Sequence, residues 1–117
     1  MMNRFFTLLL TASCLTAVGQ VPEYVPADGL VAWYPLDGNG LDAGPSGLNG
    51  TEYGSVPTDS RNGEANAAIM LDGESYINLG DSPSLNPEDA LTFSAWFRLD
   101  APNTQTGLST ILGRNKT

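Results

Sequence analysis

The sequence predicts an all-β protein with the architecture of an antiparallel β-sandwich. Residues 91–99 alternate between apolar and polar side chains with the period of a half-buried strand. Turn residues, led by thirteen glycines and eight prolines, interrupt the chain about every 8–12 residues, as in sandwiches and barrels. No long segment has the apolar period of a helix. One domain is the most that 117 residues are expected to hold.

The first nineteen residues are predicted to be a secretory signal peptide that precedes the domain. Arg4 gives the n-region its positive charge, and residues 5–18 form an uncharged, mostly apolar run that is too short for a membrane span. The small residues Ala17 and Gly19 predict cleavage before Gln20. A buried N-terminal helix is the alternative. The segment that follows the signal peptide, residues 20–28, is predicted to be an extended linker.

Cys14 is the only cysteine and lies inside this leader. A lipoprotein would be acylated at Cys14, but the preceding residues 11–13 match such a site poorly. Cleavage by an ordinary signal peptidase would leave no cysteine and therefore no disulfide. Secretion or a place at the cell surface is the expected location.

The charge balance narrows the class of partner. Thirteen acidic residues face five basic ones and no histidine, which gives a formal net charge of −8. Such an excess argues against nucleic acid or an anionic membrane as partner. It is compatible with cations and neutral glycans, and equally with a plain acidic surface that binds nothing.

The domain is predicted to consist of short strands rich in β-branched, aromatic and other apolar residues. In chain order, these strands are expected at 29–36, 51–56, 67–71, 75–79, 91–99 and 108–112.

The first half contains two loops. Pro35 cannot donate to a ladder, so strand 29–36 is expected at a sheet edge or a bulge. Residues 37–50 hold five glycines together with aspartate, asparagine and proline, and are typical of a turn-rich loop. Residues 57–65 form a second predicted loop after strand 51–56.

The next strands are predicted to form a hairpin. Residues 67–71 and 75–79 flank Asp72-Gly73, and this dipeptide is the strongest short-range hairpin signal. A connection at 81–89 follows, with one helical turn expected at 86–89.

Strand 91–99 has the clearest pattern in the chain. One face carries Leu91, Phe93, Ala95, Phe97 and Leu99, and the other carries Thr92, Ser94, Trp96 and Arg98. Such alternation predicts that one face meets a core and the other meets water or a ligand.

Five segments together resemble the laminin G-like family of concanavalin A-like jelly rolls. They are 29–39, 68–73, 76–86, 91–96 and 111–113. The resemblance implies two packed antiparallel sheets and more strands than these residues supply. It therefore implies that residues 29–117 are the N-terminal part of one such domain, incomplete at the C-terminus.

The same resemblance implies a function in binding. The expectation is a secreted, noncatalytic module for extracellular carbohydrate or protein ligands. One alternative is an accessory domain of a glycoside hydrolase or protease whose catalytic part lies beyond Thr117. Another is a structural spacer of a surface adhesin. Fold alone does not separate these functions.

Catalytic patterns are missing from the sequence itself. Histidine-dependent triads are excluded because the sequence has no histidine. Thiol catalysis is excluded for the chain that remains after cleavage of the leader, because Cys14 is the only cysteine. Glycanases of related shape share a Glu-x-Asp-x-x-Glu strand that pairs two carboxylates, and no such run occurs here. Glu88-Asp89 is the nearest acidic pair and reads as a solvated turn or helix start. We therefore expect no enzyme in this part of the chain.

Calcium is the one cofactor that the sequence suggests. Asp37, Asn39, Asp42 and Asn49 lie in the glycine-rich loop, and hard oxygen ligands on a flexible backbone suit Ca²⁺. The segment is not an EF-hand, but the resemblance is to modules that often hold calcium at a loop edge. The alternative is that these residues only make turns.

Trp96 and Arg98 are the predicted ligand-binding residues. Both lie on the polar face of strand 91–99, and an aromatic ring beside a hydrogen-bonding group is suited to a sugar. Burial in the core is the competing, and for tryptophan more frequent, position. Trp33, Tyr34, Tyr53 and Tyr76 are expected to be packing residues.

Overall fold

A computed structural model of the chain describes residues 20–100 and 110–114. The predictions that concern the leader, Cys14 and residues 101–109 therefore lie outside the described residues.

Four short strands and one 3-10 turn make up the regular structure of the described residues. The strands are β1 (Thr51–Tyr53), β2 (Val56–Thr58), β3 (Ala68–Met70) and β4 (Tyr76–Asn78), and the 3-10 helix spans Pro83–Leu85. The protein is β-rich and its pairing is antiparallel, which confirms the coarse fold prediction.

The strands pair as β1 with β4 and β2 with β3. Thr51 lies opposite Asn78 and Tyr53 opposite Tyr76, while Val56 lies opposite Met70. The two sheets are therefore successive parts of one long hairpin that reverses between β2 and β3. Ser60 closes this reversal, because its backbone N–H donates to the Glu64 carbonyl at 2.8 Å.

The predicted hairpin between 67–71 and 75–79 is wrong. The Asp72-Gly73 turn does form, and Asp72 Oδ1 accepts the backbone N–H groups of Glu74 and Ser75 at 3.1 and 3.0 Å. The first arm of the long hairpin consists of β1 and β2, and the second arm consists of β3 and β4. Because β3 and β4 pair with the first arm and not with each other, the Asp72-Gly73 turn only interrupts the second arm. Gly54 faces this turn, and a Cβ there would lie 3.3 Å from the Ser75 Cβ.

Two predicted strands, 29–36 and 91–99, have no ladder in the structure, and neither do residues 110–112. A strand needs a neighbour for its backbone groups, and alternation alone does not supply one. Residues 29–36 are tied instead by single contacts, such as the Ala43 N–H donating to the Trp33 carbonyl at 2.8 Å.

The helical turn also lies elsewhere than predicted. It forms at Pro83–Leu85 and not at 86–89, because Ser82 begins it and Pro83 occupies the first position. The Ser82 side chain accepts the Ser84 N–H, and the Asn86 N–H closes the turn on the Pro83 carbonyl.

No apolar side chain of the described residues is buried. Loop 37–50 covers one face of the β1–β4 sheet, where a Cβ at Gly50 would lie 2.5 Å from Ile77 Cγ2. The apolar row of 91–99 is open, with Phe97 62% and Leu99 70% exposed. The described residues thus form a single covered hairpin, and the second layer of a sandwich is not among them.

Candidate functional site

Loop 37–50 is organised around the carboxylate of Asp42. Its Oδ1 accepts the backbone N–H groups of Trp33 at 2.8 Å and Gly44 at 2.7 Å, and its Oδ2 accepts that of Leu48 at 2.8 Å. The turn at Gly44 is tight, because a Cβ there would lie 2.7 Å from the Trp33 nitrogen. One side chain therefore holds three points of the backbone together.

The pKa of Asp42 reflects these contacts. Partial burial would raise it, but the hydrogen bonds from the three backbone N–H groups together outweigh burial and lower it below the usual aspartate value. Tyr34 lies beside the same cluster, and its hydroxyl donates to the Leu48 carbonyl at 2.6 Å. Burial raises the pKa of Tyr34, and the negative charge of Asp42 raises it further.

The other predicted calcium ligands also serve the backbone. Asn39 Oδ1 accepts the Leu41 N–H at 3.0 Å, and Asn49 Oδ1 accepts the Asp42 N–H at 3.0 Å. Asp37 takes part through its carbonyl, which accepts the Asn39 side-chain amide at 3.1 Å. The structure brings the four residues into one loop, but it uses their oxygens as turn acceptors.

This arrangement fits Ca²⁺ poorly. Calcium takes six to eight oxygen ligands, whereas Asn39, Asp42 and Asn49 already direct oxygens at N–H donors. Within 20–100 and 110–114, no group of three or more His, Cys, Asp or Glu side chains is placed to hold a metal ion. The geometry matches the turn-forming alternative, and calcium stays a prediction.

Trp96 is at the surface and not in a core. Its side chain is 83% exposed, so the described residues do not bury it, in contrast to the competing expectation of a place in the core. The guanidinium carbon of Arg61 lies 4.4 Å from the centre of the ring, which is cation–π geometry. Arg61 comes from the loop between β2 and β3, so this contact joins the long hairpin to segment 91–99.

Arg98, the second predicted ligand-binding residue, forms an ion pair with Asp100. Arg98 Nε lies 2.6 Å from Asp100 Oδ1, and Nη2 lies 3.2 Å from Oδ2. This two-point hydrogen bond raises the pKa of Arg98, with a smaller contribution from Asp59, and it lowers the pKa of Asp100. Both side chains are mostly exposed, so the pair contributes little stability.

Arg61 is the functional candidate that the sequence did not reveal. A single arginine in a loop carries no pattern, and its ring partner lies in a distant segment. Together, Arg61, Trp96, Arg98 and Asp100 form what we call the tryptophan cluster. It contains an accessible aromatic ring, two guanidinium groups and one carboxylate.

The other four aromatic residues that were predicted to pack fall into two pairs that differ in exposure. Trp33 and Tyr34 are partly buried, in line with packing roles. Tyr53 and Tyr76 are 46% and 52% exposed, so packing into a core is wrong for them. They stack on each other, with ring centres 4.7 Å apart and planes 16° from parallel.

A membrane span is not found in the described part of the chain, where no helix is long and apolar enough to cross a bilayer. Comparison of the chain with protein-family models, curated proteins and solved structures gave no match in any of the three.

Proposed function

We propose that the chain is part of a secreted, laminin G-like jelly-roll module that binds extracellular carbohydrate without catalysis. The observation that carries this proposal is the exposed ring of Trp96 within the tryptophan cluster. An indole ring that is open to water offers a flat apolar surface, and such a surface is suited to contact with the apolar face of a sugar.

The polar members of the cluster add to this argument. Sugar hydroxyls both donate and accept, and the Arg98–Asp100 pair presents donors and acceptors side by side. Arg61 lies over the ring of Trp96 and limits its rotation, which reduces the entropy lost on binding. The net charge of −8 on the chain disfavours a polyanion and is compatible with a neutral glycan.

The exposed apolar row of 91–99 is part of the same proposal. In a jelly roll, Leu91, Phe93, Phe97 and Leu99 would lie on the inner face of a sheet, opposite the face of Trp96. Their exposure here is the reason to propose that further strands cover them in the complete module.

The test is binding of an immobilised glycan panel to the chain and two variants. We expect Trp96→Ala to lower affinity by about 2 kcal/mol, or roughly thirtyfold, as for a central tryptophan contact. Tyr24→Ala is the matched control, because Tyr24 is an equally exposed aromatic (82%) that lies in the linker. Equal losses in both variants would refute the tryptophan cluster as the binding site, and no glycan bound at all would refute carbohydrate binding.

Other outcomes of this panel separate the alternatives. A chain that binds no glycan but captures a defined extracellular protein through Trp96 would be a protein-binding module. One that binds neither would favour the spacer. A catalytic domain, or a strand with paired carboxylates, encoded beyond Thr117 would support the accessory-domain alternative.

Calcium is tested separately by calorimetric titration of the chain with CaCl₂. If Asp42 were a ligand, Ca²⁺ would raise the melting temperature, and Asp42→Asn would abolish this shift. Neither heat nor a shift is expected from the arrangement of the loop, in which Asp42 serves backbone donors.

A further inference from the structure

Another exposed aromatic feature of the described residues lies on the outer face of the β1–β4 sheet. Thr51 is paired with Asn78 and Tyr53 with Tyr76. Side chains alternate along a strand, so these four share one face of the sheet. All four residues are exposed. We call this face the tyrosine platform.

The opposite face of the same sheet is already occupied. Glu52 Oε1 accepts the Gly40 N–H from loop 37–50, and the Ile77 side chain lies so close to Gly50 that no Cβ would fit there. The loop therefore fixes which side of the sheet points inward. The packing of loop 37–50 against Glu52 and Ile77 therefore identifies the tyrosine platform as the outward face.

The chemistry of the platform is aromatic at its centre and polar but uncharged at its rim. Two nearly parallel phenol rings stand 4.7 Å apart, and the Thr51 hydroxyl and Asn78 amide lie beside them in register. The one carboxylate of β1, that of Glu52, is turned to the loop. On a chain of net charge −8, an uncharged patch complements a neutral ligand and disfavours a polyanion.

We propose that the tyrosine platform is a second carbohydrate site, which takes a neutral oligosaccharide along β1 and β4. The phenol rings contact the apolar C–H surface of the sugar, while phenol hydroxyls, Thr51 and Asn78 hydrogen-bond its rim. Stacking of the two rings limits their rotamers before the ligand arrives, which lowers the entropic cost of binding. The ligand class, but not the location, depends on the function proposed above.

The experiment follows the ring signals of Tyr53, Tyr76 and Trp96 by NMR in the whole chain. The probes are cellohexaose, xylohexaose and mannohexaose, with an oligogalacturonide as the anionic counterpart. We expect saturable shifts of both tyrosine signals with at least one neutral probe and weaker shifts with the anionic one. Trp96→Ala should keep them, and Tyr76→Ser should weaken binding at this site about five- to tenfold.

Tyr24→Ser is the matched control, because it removes an exposed tyrosine outside the sheet. The amide signals of Thr51 and Asn78 report whether β1 and β4 still pair in Tyr76→Ser. The wild-type titration does not depend on any variant.

Three results would overturn the proposal. The first is that no neutral probe gives a saturable shift of the tyrosine signals, and the second is that the shift persists fully in Tyr76→Ser while β1 and β4 still pair. The third is a shift caused by protein concentration alone, which would indicate that a second copy of the chain binds to the platform. A response of Trp96 without the tyrosines would refute the platform and leave the proposed function standing. The reverse would refute the tryptophan cluster alone.

Discussion

Replacing Asp42 by alanine removes the acceptor for three backbone N–H groups, those of Trp33, Gly44 and Leu48. Hydrogen bonds to a charged group contribute about 1.5–3 kcal/mol each when protected, and neutral ones about 1 kcal/mol. Asp42 is only partly buried, so we use the value of about 1 kcal/mol for each of the three hydrogen bonds. Asp42→Ala should therefore lower the local opening free energy by about 3 kcal/mol.

Amide hydrogen exchange measures this energy at each donor. A loss of about 3 kcal/mol corresponds to roughly a hundredfold fall in protection at the three amides. Asp37→Ala is the matched control, because it removes a carboxylate of the same loop whose hydrogen bond runs through its carbonyl. Protection that stays unchanged in Asp42→Ala, or falls equally in Asp37→Ala, would refute the role of Asp42 as the organiser of the loop.

The stabilisation of loop 37–50 by Asp42 is expected to depend on pH. The pKa of Asp42 is lowered in the folded state, so its stabilising effect is fully present above the unfolded value of about 3.9. The effect is lost as pH falls through the folded pKa. Protection of the Gly44 and Leu48 amides should then drop in the wild-type chain below about pH 4, and Asp42→Ala should remove this dependence.

Two further predictions concern the packing around the loop. Gly50→Ala should destabilise the hairpin by about 1–3 kcal/mol through overpacking against Ile77, measured by urea unfolding. Gly63→Ala, where the space is open, should lose only the cost of its left-handed backbone, about 1–2 kcal/mol. A loss below about 0.5 kcal/mol in Gly50→Ala would contradict the steric argument. The pKa of Tyr34 is raised by burial and then by Asp42, so its contribution is complete below about pH 10 and is lost as pH rises through the folded pKa. Tyr34→Phe should abolish this alkaline dependence in a thermal melt, at a cost of about 1 kcal/mol near neutral pH.

Local chemistry was predictable from the sequence, whereas pairing was not. The Asp72-Gly73 turn forms where its residues predict it, because an aspartate side chain closes such a turn on its own neighbours. Its role in the fold depends on residues far along the chain. β3 and β4 find better partners in β2 and β1, so a sound turn prediction led to a wrong hairpin.

Segment 91–99 also shows that strand pairing could not be predicted from the side-chain pattern. Its alternation is real, and Trp96 and Arg98 do lie at the surface. A strand, however, exists only where a neighbour accepts and donates its backbone hydrogen bonds, and side-chain pattern carries no information on that neighbour. The contact between Arg61 and Trp96 was missed for the same reason, since it joins two segments that share no local pattern.

The calcium prediction shows why residue types alone cannot distinguish a metal ligand from a turn acceptor. Both tasks place aspartate and asparagine oxygens among glycines, because both need a compact positive partner approached by a tightly curved backbone. The partner decides between them. In loop 37–50, the positive ends of three backbone N–H dipoles already converge on Asp42. A cation that took these oxygens would release three half-buried donors, each at a cost of about 1 kcal/mol. Calcium binding and the observed loop are therefore competing uses of one carboxylate, and the hydrogen bonds favour the loop.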